Sequence, residues 1–143
     1  MIVRLTRKYA FSASHRLHSS ALTSDQNREV YGKCNNPWGH GHNYEVELTV
    51  RGEVDPDTGR VVDIPALDRL AEERIVAPFR LRNLNEEVAA FRSAVPTTEN
   101  LTLEVERRLR EAWPEVFPDG KPSLDAVRIR ETERNICEIR RPV

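Results

Sequence analysis

Two stretches of this chain alternate apolar and polar side chains with a period of two, and no other feature constrains the fold as strongly. Over residues 2–15, Val3, Leu5, Tyr9, Phe11, Ala13 and His15 share one parity, while Arg4, Thr6, Lys8, Ser12 and Ser14 share the other. Over residues 42–54, Tyr44, Val46, Leu48, Val50 and Val54 face one way and Glu45, Glu47, Thr49, Arg51 and Glu53 the other. Successive side chains of a strand leave opposite faces, so both stretches are strands with one buried and one solvated face, as in an antiparallel sheet.

The remaining pattern completes an α+β order. Residues 16–41, rich in Ser, Asn, Asp, Gly and Pro, read as a long functional loop. Asp55 to Gly59 has turn chemistry, and a short strand from Arg60 to Asp63 is expected after it. Asp63 then caps a helix carrying Leu67, Leu70, Ala71 and Ile75 on one stripe, predicted to end before Pro78. A second helix begins around Thr98, carries Leu101, Val105, Leu109, Ala112 and Trp113, and is predicted to stop at Pro114. Two final strands, about 124–132 and 136–141, flank a polar turn at Glu133 to Asn135. The expected architecture is one domain over 1–143, a four-stranded antiparallel sheet with two helices on one face. Its long unpaired edges predict closure against further copies of the chain.

Composition narrows the function classes. With 22 basic against 23 acidic residues the formal net charge is −1, which gives no broad field for nucleic acid or an anionic membrane. No run approaches the roughly 18 apolar residues of a membrane span, and the first residues alternate instead of forming a signal block, so a cytoplasmic protein is expected. Cys34 and Cys137 are the only cysteines, too few for a disulfide scaffold, and both are expected as thiols. A small molecule or another copy of the chain is the expected partner.

Three of the four histidines fall where parity makes them informative. His40 and His42 leave the same face as Tyr44, and His15 ends the first strand on its apolar parity. If the strands are neighbours, three imidazoles converge, a donor set that suits Zn²⁺ and leaves a fourth position open. The alternative is three separate, hydrogen-bonded histidines. Gly39 and Gly41 give the backbone freedom to aim the rings, and His18, beside Ser19 and Ser20, reads as a surface residue. Cys34 lies in a loop able to fold back over such a metal, where a dication and Lys33 would lower its thiol pKa, suiting a base or nucleophile. Glu131 stands where the Val127, Ile129 parity asks for an apolar side chain, so it needs a partner: an arginine such as Arg134, or a ligand with paired N–H donors. Glu99 lies in the first turn of the second helix, where an acid is stabilising in any case.

FSASHRLHS at 11–19, YGKCNNPWGHGHNY at 31–44, PTTEN at 96–100 and the acid in IRETERN at 129–135 together resemble the 6-pyruvoyl-tetrahydropterin synthase and 6-carboxy-tetrahydropterin synthase family, from about residue 5 to 140. The resemblance implies the tunnelling fold, trimers closing into a barrel, and a homohexamer of two stacked trimers. It implies a zinc-dependent lyase that eliminates triphosphate from 7,8-dihydroneopterin triphosphate and rearranges the side chain. By motif, His15, His40 and His42 become zinc ligands, Cys34 the proton-moving base, and Glu131 with Thr98 and Glu99 the pterin anchor. Five residues separate Cys34 from His40, a spacing that resembles the pyruvoyl branch more than the carboxy branch, whose cysteine stands nearer the pair. The family's Asp-His relay pair corresponds to Arg80 and Leu81, and no histidine follows His42. Leucine cannot carry a proton and arginine keeps its charge. Three functions therefore stand side by side: a pyruvoyl-type lyase slowed by loss of the relay, a zinc enzyme on another pterin, or a pterin-binding homologue without catalysis.

Overall fold

The computed structural model describes residues 1–141. Four strands, β1 (Ile2–His15), β2 (His40–Glu53), β3 (Ser123–Thr132) and β4 (Asn135–Arg140), form one antiparallel sheet in the order β1-β2-β3-β4. β1 pairs with β2 along its whole length, setting Phe11 opposite Tyr44, Ala13 opposite His42 and His15 opposite His40. The expected parity is therefore realised, and the second strand starts two residues earlier than its apolar pattern, at His40.

Helix α1 (Ser24–Tyr31) comes between β1 and β2, and α2 (Ile64–Ala71), α3 (Ala77–Phe79), α4 (Leu84–Glu87) and α5 (Thr98–Val116) come between β2 and β3. Leu101, Val105 and Leu109 recur every fourth residue along α5 and are fully buried, as are Leu67 on α2 and Val46, Leu48 and Val50 on β2. Each such side chain contributes about 1.5–3 kcal/mol through removal from water. The opposite face of the sheet carries charge: Arg128 and Glu47 pair at 3.1 Å, and Arg130 and Glu45 at 3.4 Å. No helix is long and apolar enough to cross a membrane.

Four sequence expectations are corrected. The 16–41 segment is not simply a loop, because it contains α1 and a 3₁₀ turn, Gly32–Asn35. Thr23 and Gln26 form a reciprocal capping box that starts α1, a signal that the Ser- and Asn-rich composition obscures. Residues 60–63 form no strand: Asp55 N–H donates to the Arg60 carbonyl at 2.9 Å, and Asp63 caps α2 by accepting from Ala66 N–H. Pro78 does not end the first helical run, because a π-helical segment, Glu72–Val76, shifts the register and places this proline in the first turn of α3. No intrahelical donor is needed there. Pro114 does not stop α5 either. The last turn survives the missing donor because Trp113 Nε1–H donates to the Pro122 carbonyl at 3.0 Å and its ring packs on Phe117.

One further pairing positions the site. Leu81 N–H donates to the Ser12 carbonyl at 2.7 Å and Ser14 N–H to the Arg82 carbonyl at 2.9 Å, so the segment after α3 covers the free edge of β1 near His15.

Candidate metal centre and pterin pocket

His15 ends β1, and His40 and His42 open β2. Because His15 and His40 are cross-strand partners, the three rings meet at one end of the sheet. Their centroids lie 4.8, 5.0 and 4.7 Å apart, and one nitrogen from each falls within 4.8 Å of the other two. His15 Nε2 approaches His40 Nε2 to 3.2 Å. The arrangement therefore favours the convergent alternative over three separate histidines.

The tautomer of His15 follows from its neighbour. A carbonyl only accepts, so the 2.8 Å contact between Nδ1 and the Pro96 oxygen requires the proton on Nδ1. The Nε2 lone pair is thereby left facing the other rings, the orientation a metal ligand needs. Burial, reinforced by the neighbouring imidazoles, lowers the pKa of His15, and burial chiefly lowers that of His42, so both favour the neutral form. His42 Nε2 is buried with no hydrogen-bond partner among the described residues. An orphaned nitrogen facing two others is satisfied by a cation, and three imidazoles are a donor set that fits zinc.

The geometry depends on one glycine. Gly39 has φ +71°, and a Cβ there would lie 2.8 Å from the His15 carbonyl oxygen. Gly41, by contrast, has an ordinary backbone and room for a side chain, so only one of the two glycines is demanded by the fold.

Glu131 faces the cluster from β3, with Oε1 3.8 Å from His42 Nε2 and Oε2 4.0 Å from His15 Nε2. It accepts a hydrogen bond from the Thr98 hydroxyl at 2.7 Å, and Asn135 Nδ2 donates to Thr98 Oγ1 at 2.9 Å. Asn135 Nδ2 also donates to Glu131 Oε1 at 3.4 Å, so the partners of Glu131 inside the protein are Thr98 and Asn135 and not Arg134. Thr98 is buried, whereas Glu99 is exposed and points to no partner among the described residues. The chain alone brings together the histidines, Glu131 and Thr98, but not Glu99.

Cys34 sits in the 3₁₀ turn after α1, which is tied back to the segment following His15. Leu17 N–H donates to the Cys34 carbonyl at 2.8 Å, Asn35 Nδ2 to the Leu17 carbonyl at 2.8 Å, and Arg16 Nε to the Asn35 carbonyl at 3.0 Å. Among the protein's own groups, burial and then the Glu131 carboxylate push the thiol pKa up, whereas the expected fall is that of a thiol beside a bound dication. Lys33 does not offset them. His18 is not a plain surface residue: it is partly buried, and its Nδ1 accepts from Asn35 Nδ2 at 3.0 Å. Asn35, Asn85 and Pro96 escape sequence reasoning, because turn-forming polar residues and a proline carbonyl carry no periodic signal. Arg80 pairs with Glu72 at 2.8 Å, and Leu81, with φ +57°, is 80% exposed.

Residues 4–142 match the family model described as 6-pyruvoyl tetrahydropterin synthase. The chain is 46% identical over 136 residues to a 6-pyruvoyl tetrahydrobiopterin synthase of Poecilia reticulata, covering 95% of this chain and 88% of that protein. It is 43% identical over 133 residues to the protein of that name from Homo sapiens, covering 93% and 88% of the two chains. The solved structure of Caenorhabditis elegans 6-pyruvoyl tetrahydropterin synthase superposes with a TM-score of 0.88 at 38% identity, covering 99% of this chain and 97% of that one. The match extends over the whole sheet, the helices and the histidine-bearing strand ends, and this chain belongs to the 6-pyruvoyl tetrahydropterin synthase family.

Proposed function

We propose that the chain is a zinc-dependent pterin lyase of the 6-pyruvoyl type, acting on 7,8-dihydroneopterin triphosphate with elimination of triphosphate. The observation that carries this reading is the meeting of three imidazoles with the Glu131 carboxylate, whose oxygens lie 3.8 Å from His42 Nε2 and 4.0 Å from His15 Nε2. His15, His40 and His42 would hold the zinc ion, which when bound acts as a Lewis acid that acidifies C–H bonds of the substrate side chain. Glu131 accepts the paired N–H donors of the pterin ring, and the Thr98 hydroxyl fixes the carboxylate in place for that contact. Cys34, fastened to the strand end that carries His15, takes the substrate proton at Sγ. Because burial and Glu131 raise its pKa, that thiol depends on neighbouring positive charge to act as thiolate.

The reading includes loss of the relay. Arg80 is occupied by Glu72 and Leu81 has no titratable group, so neither carries a proton away from Cys34. We therefore assign the chain a slow lyase. The uncovered parts of the β1 edge and the β4 edge support closure into a barrel by further copies, a trimer stacked into a hexamer. A cytoplasmic setting suits unpaired thiols.

Incubation of the purified protein with 7,8-dihydroneopterin triphosphate tests the assignment. Triphosphate release together with a 6-pyruvoyl product supports it. A different pterin product assigns the chain to another reaction, and tight pterin binding without turnover makes it a binding protein.

A further inference from the structure

The strand ends that carry the histidines receive little support from the sheet itself. β3 pairs with β2 only between Glu45 and Arg51, so the stretch from His40 to Tyr44 has β1 as its one strand partner among the described residues. A two-stranded ribbon is marginally stable in water and needs a further element beside it. The segment from Leu81 to Asn85 is that element. Leu81 N–H donates to the Ser12 carbonyl, the Arg82 carbonyl accepts from Ser14 N–H, and Asn83 forms a parallel bridge with Ser14.

Asn85 completes the attachment with its side chain. Its Oδ1 accepts from Arg16 N–H at 2.7 Å, and its Nδ2 donates to the Arg16 carbonyl at 2.8 Å. A side-chain amide thus meets both backbone groups of one residue, as a neighbouring strand would, just where the chain has already turned into α4. Asn85 is itself held in place. Asn83 Oδ1 accepts from Asn85 N–H at 3.1 Å and from Glu86 N–H at 3.3 Å, Glu87 Oε2 accepts from Asn83 N–H at 2.7 Å, and Leu84 is fully buried. Leu81 keeps φ +57°, a left-handed backbone that leucine adopts only where its surroundings impose it. Farther along the same stretch, Pro96 supplies the carbonyl that orients the His15 ring. Ser14 and Arg16, on either side of His15, and the imidazole itself are therefore all fixed from residues 82–96.

We propose that Asn85 is a positioning residue for the histidine cluster. By clamping Arg16 it fixes the end of β1, and the cross-strand pair of His15 with His40 passes that constraint to β2, so that the three rings meet as a preorganised donor set. The role rests on the reading of the cluster as a metal site, and it is exerted through the Arg16 backbone, not by contact with a bound ion. Without the clamp all three ligands remain, but the strand end frays. Metal binding must then order it, and affinity falls by the cost of that ordering.

Chelator competition for zinc on the full chain tests the role, together with the visible spectrum of cobalt(II)-loaded protein and amide hydrogen exchange of the metal-free protein. Asn85→Ala should bind zinc roughly 10–100-fold more weakly than the parent, the range for groups that orient a metal ligand. Its cobalt bands should change, and exchange at the Ser14 amide should quicken. Asn85→Asp keeps an acceptor for Arg16 N–H and should recover part of the affinity. Asp63→Ala removes the cap of α2 and should lower Tm while keeping the parent's affinity and spectrum, which separates positioning from a general loss of stability. Parent-like affinity and spectrum in Asn85→Ala overturn the proposal, as does an equal loss of affinity in Asp63→Ala. The two readings fail distinguishably. A parent that binds neither ion defeats the metal reading and the positioning role together, whereas zinc held equally by the parent and Asn85→Ala defeats the positioning role alone.

Discussion

His15 Nδ1–H donates to the carbonyl of Pro96 at 2.8 Å, across 81 residues of sequence, and this contact fixes which nitrogen of the ring faces the other two histidines. The same short segment continues into Thr97 and Thr98, so the turn that orients a ligand also starts the helix that presents the hydroxyl held by Glu131. The candidate metal ligand and the proposed pterin anchor are therefore tied together through five residues, PTTEN at 96–100.

Gly39→Ala should damage the metal site without touching a ligand. The new Cβ would meet the His15 carbonyl at 2.8 Å, in a left-handed backbone that costs a non-glycine residue about 1–2 kcal/mol. A lowered Tm and a reduced metal content, both absent in Gly41→Ala, are the expected results. Equal behaviour of the two variants would remove Gly39 from this account.

Cys34→Ala should bind metal as the parent does and lose turnover by roughly 100-fold or more, the range of a positioned acid–base group. Elemental analysis and the product assay, run on the same preparation, check both halves. Unchanged turnover would take Cys34 out of the mechanism.

Thr98→Val keeps the volume of the side chain and removes the donor to Glu131. A hydrogen bond to a charged group contributes about 1.5–3 kcal/mol, so ring affinity should fall by roughly tenfold or more with metal content intact. Equal pterin affinity in a fluorescence titration would return the Thr98–Glu131 pair to a purely structural role.

Much of this was legible from parity. A period-two pattern ending in His15 and another opening at His40 and His42 suffices to predict a shared face, because antiparallel pairing then decides the rest. Glu131 was visible for the same reason, as an acid on an apolar parity. What the pattern could not show depends on tertiary contact. Proline was over-read as a helix stop at positions 78 and 114, because a π-helical register shift and a buried tryptophan are invisible to local propensity. Asn35 and Asn85 act through hydrogen bonds to backbone of distant segments, which no local spacing encodes. Burial first, and then Glu131, distant in sequence but close in space, raises the thiol pKa of Cys34 among the protein's own groups, an effect that no local spacing encodes.

Arg80→Asp combined with Leu81→His should raise lyase turnover. Position 81 has φ +57°, a conformation that histidine adopts more readily than leucine, and its side chain is 80% exposed, so the fold should accept the change. A gain of roughly tenfold or more in kcat is expected if a proton relay is the missing part. No gain in a well-folded double variant would count against the loss of the relay as the cause of a slow reaction.

The most direct measurement is the metal content of the purified protein by mass spectrometry, beside that of His42→Ala. His42 Nε2 is a buried nitrogen with no partner among the described residues, so the account predicts about one zinc ion per chain in the parent and its loss in the variant. Protein that is fully folded and free of bound metal after expression with zinc, or a His42→Ala variant that retains the ion, would contradict it.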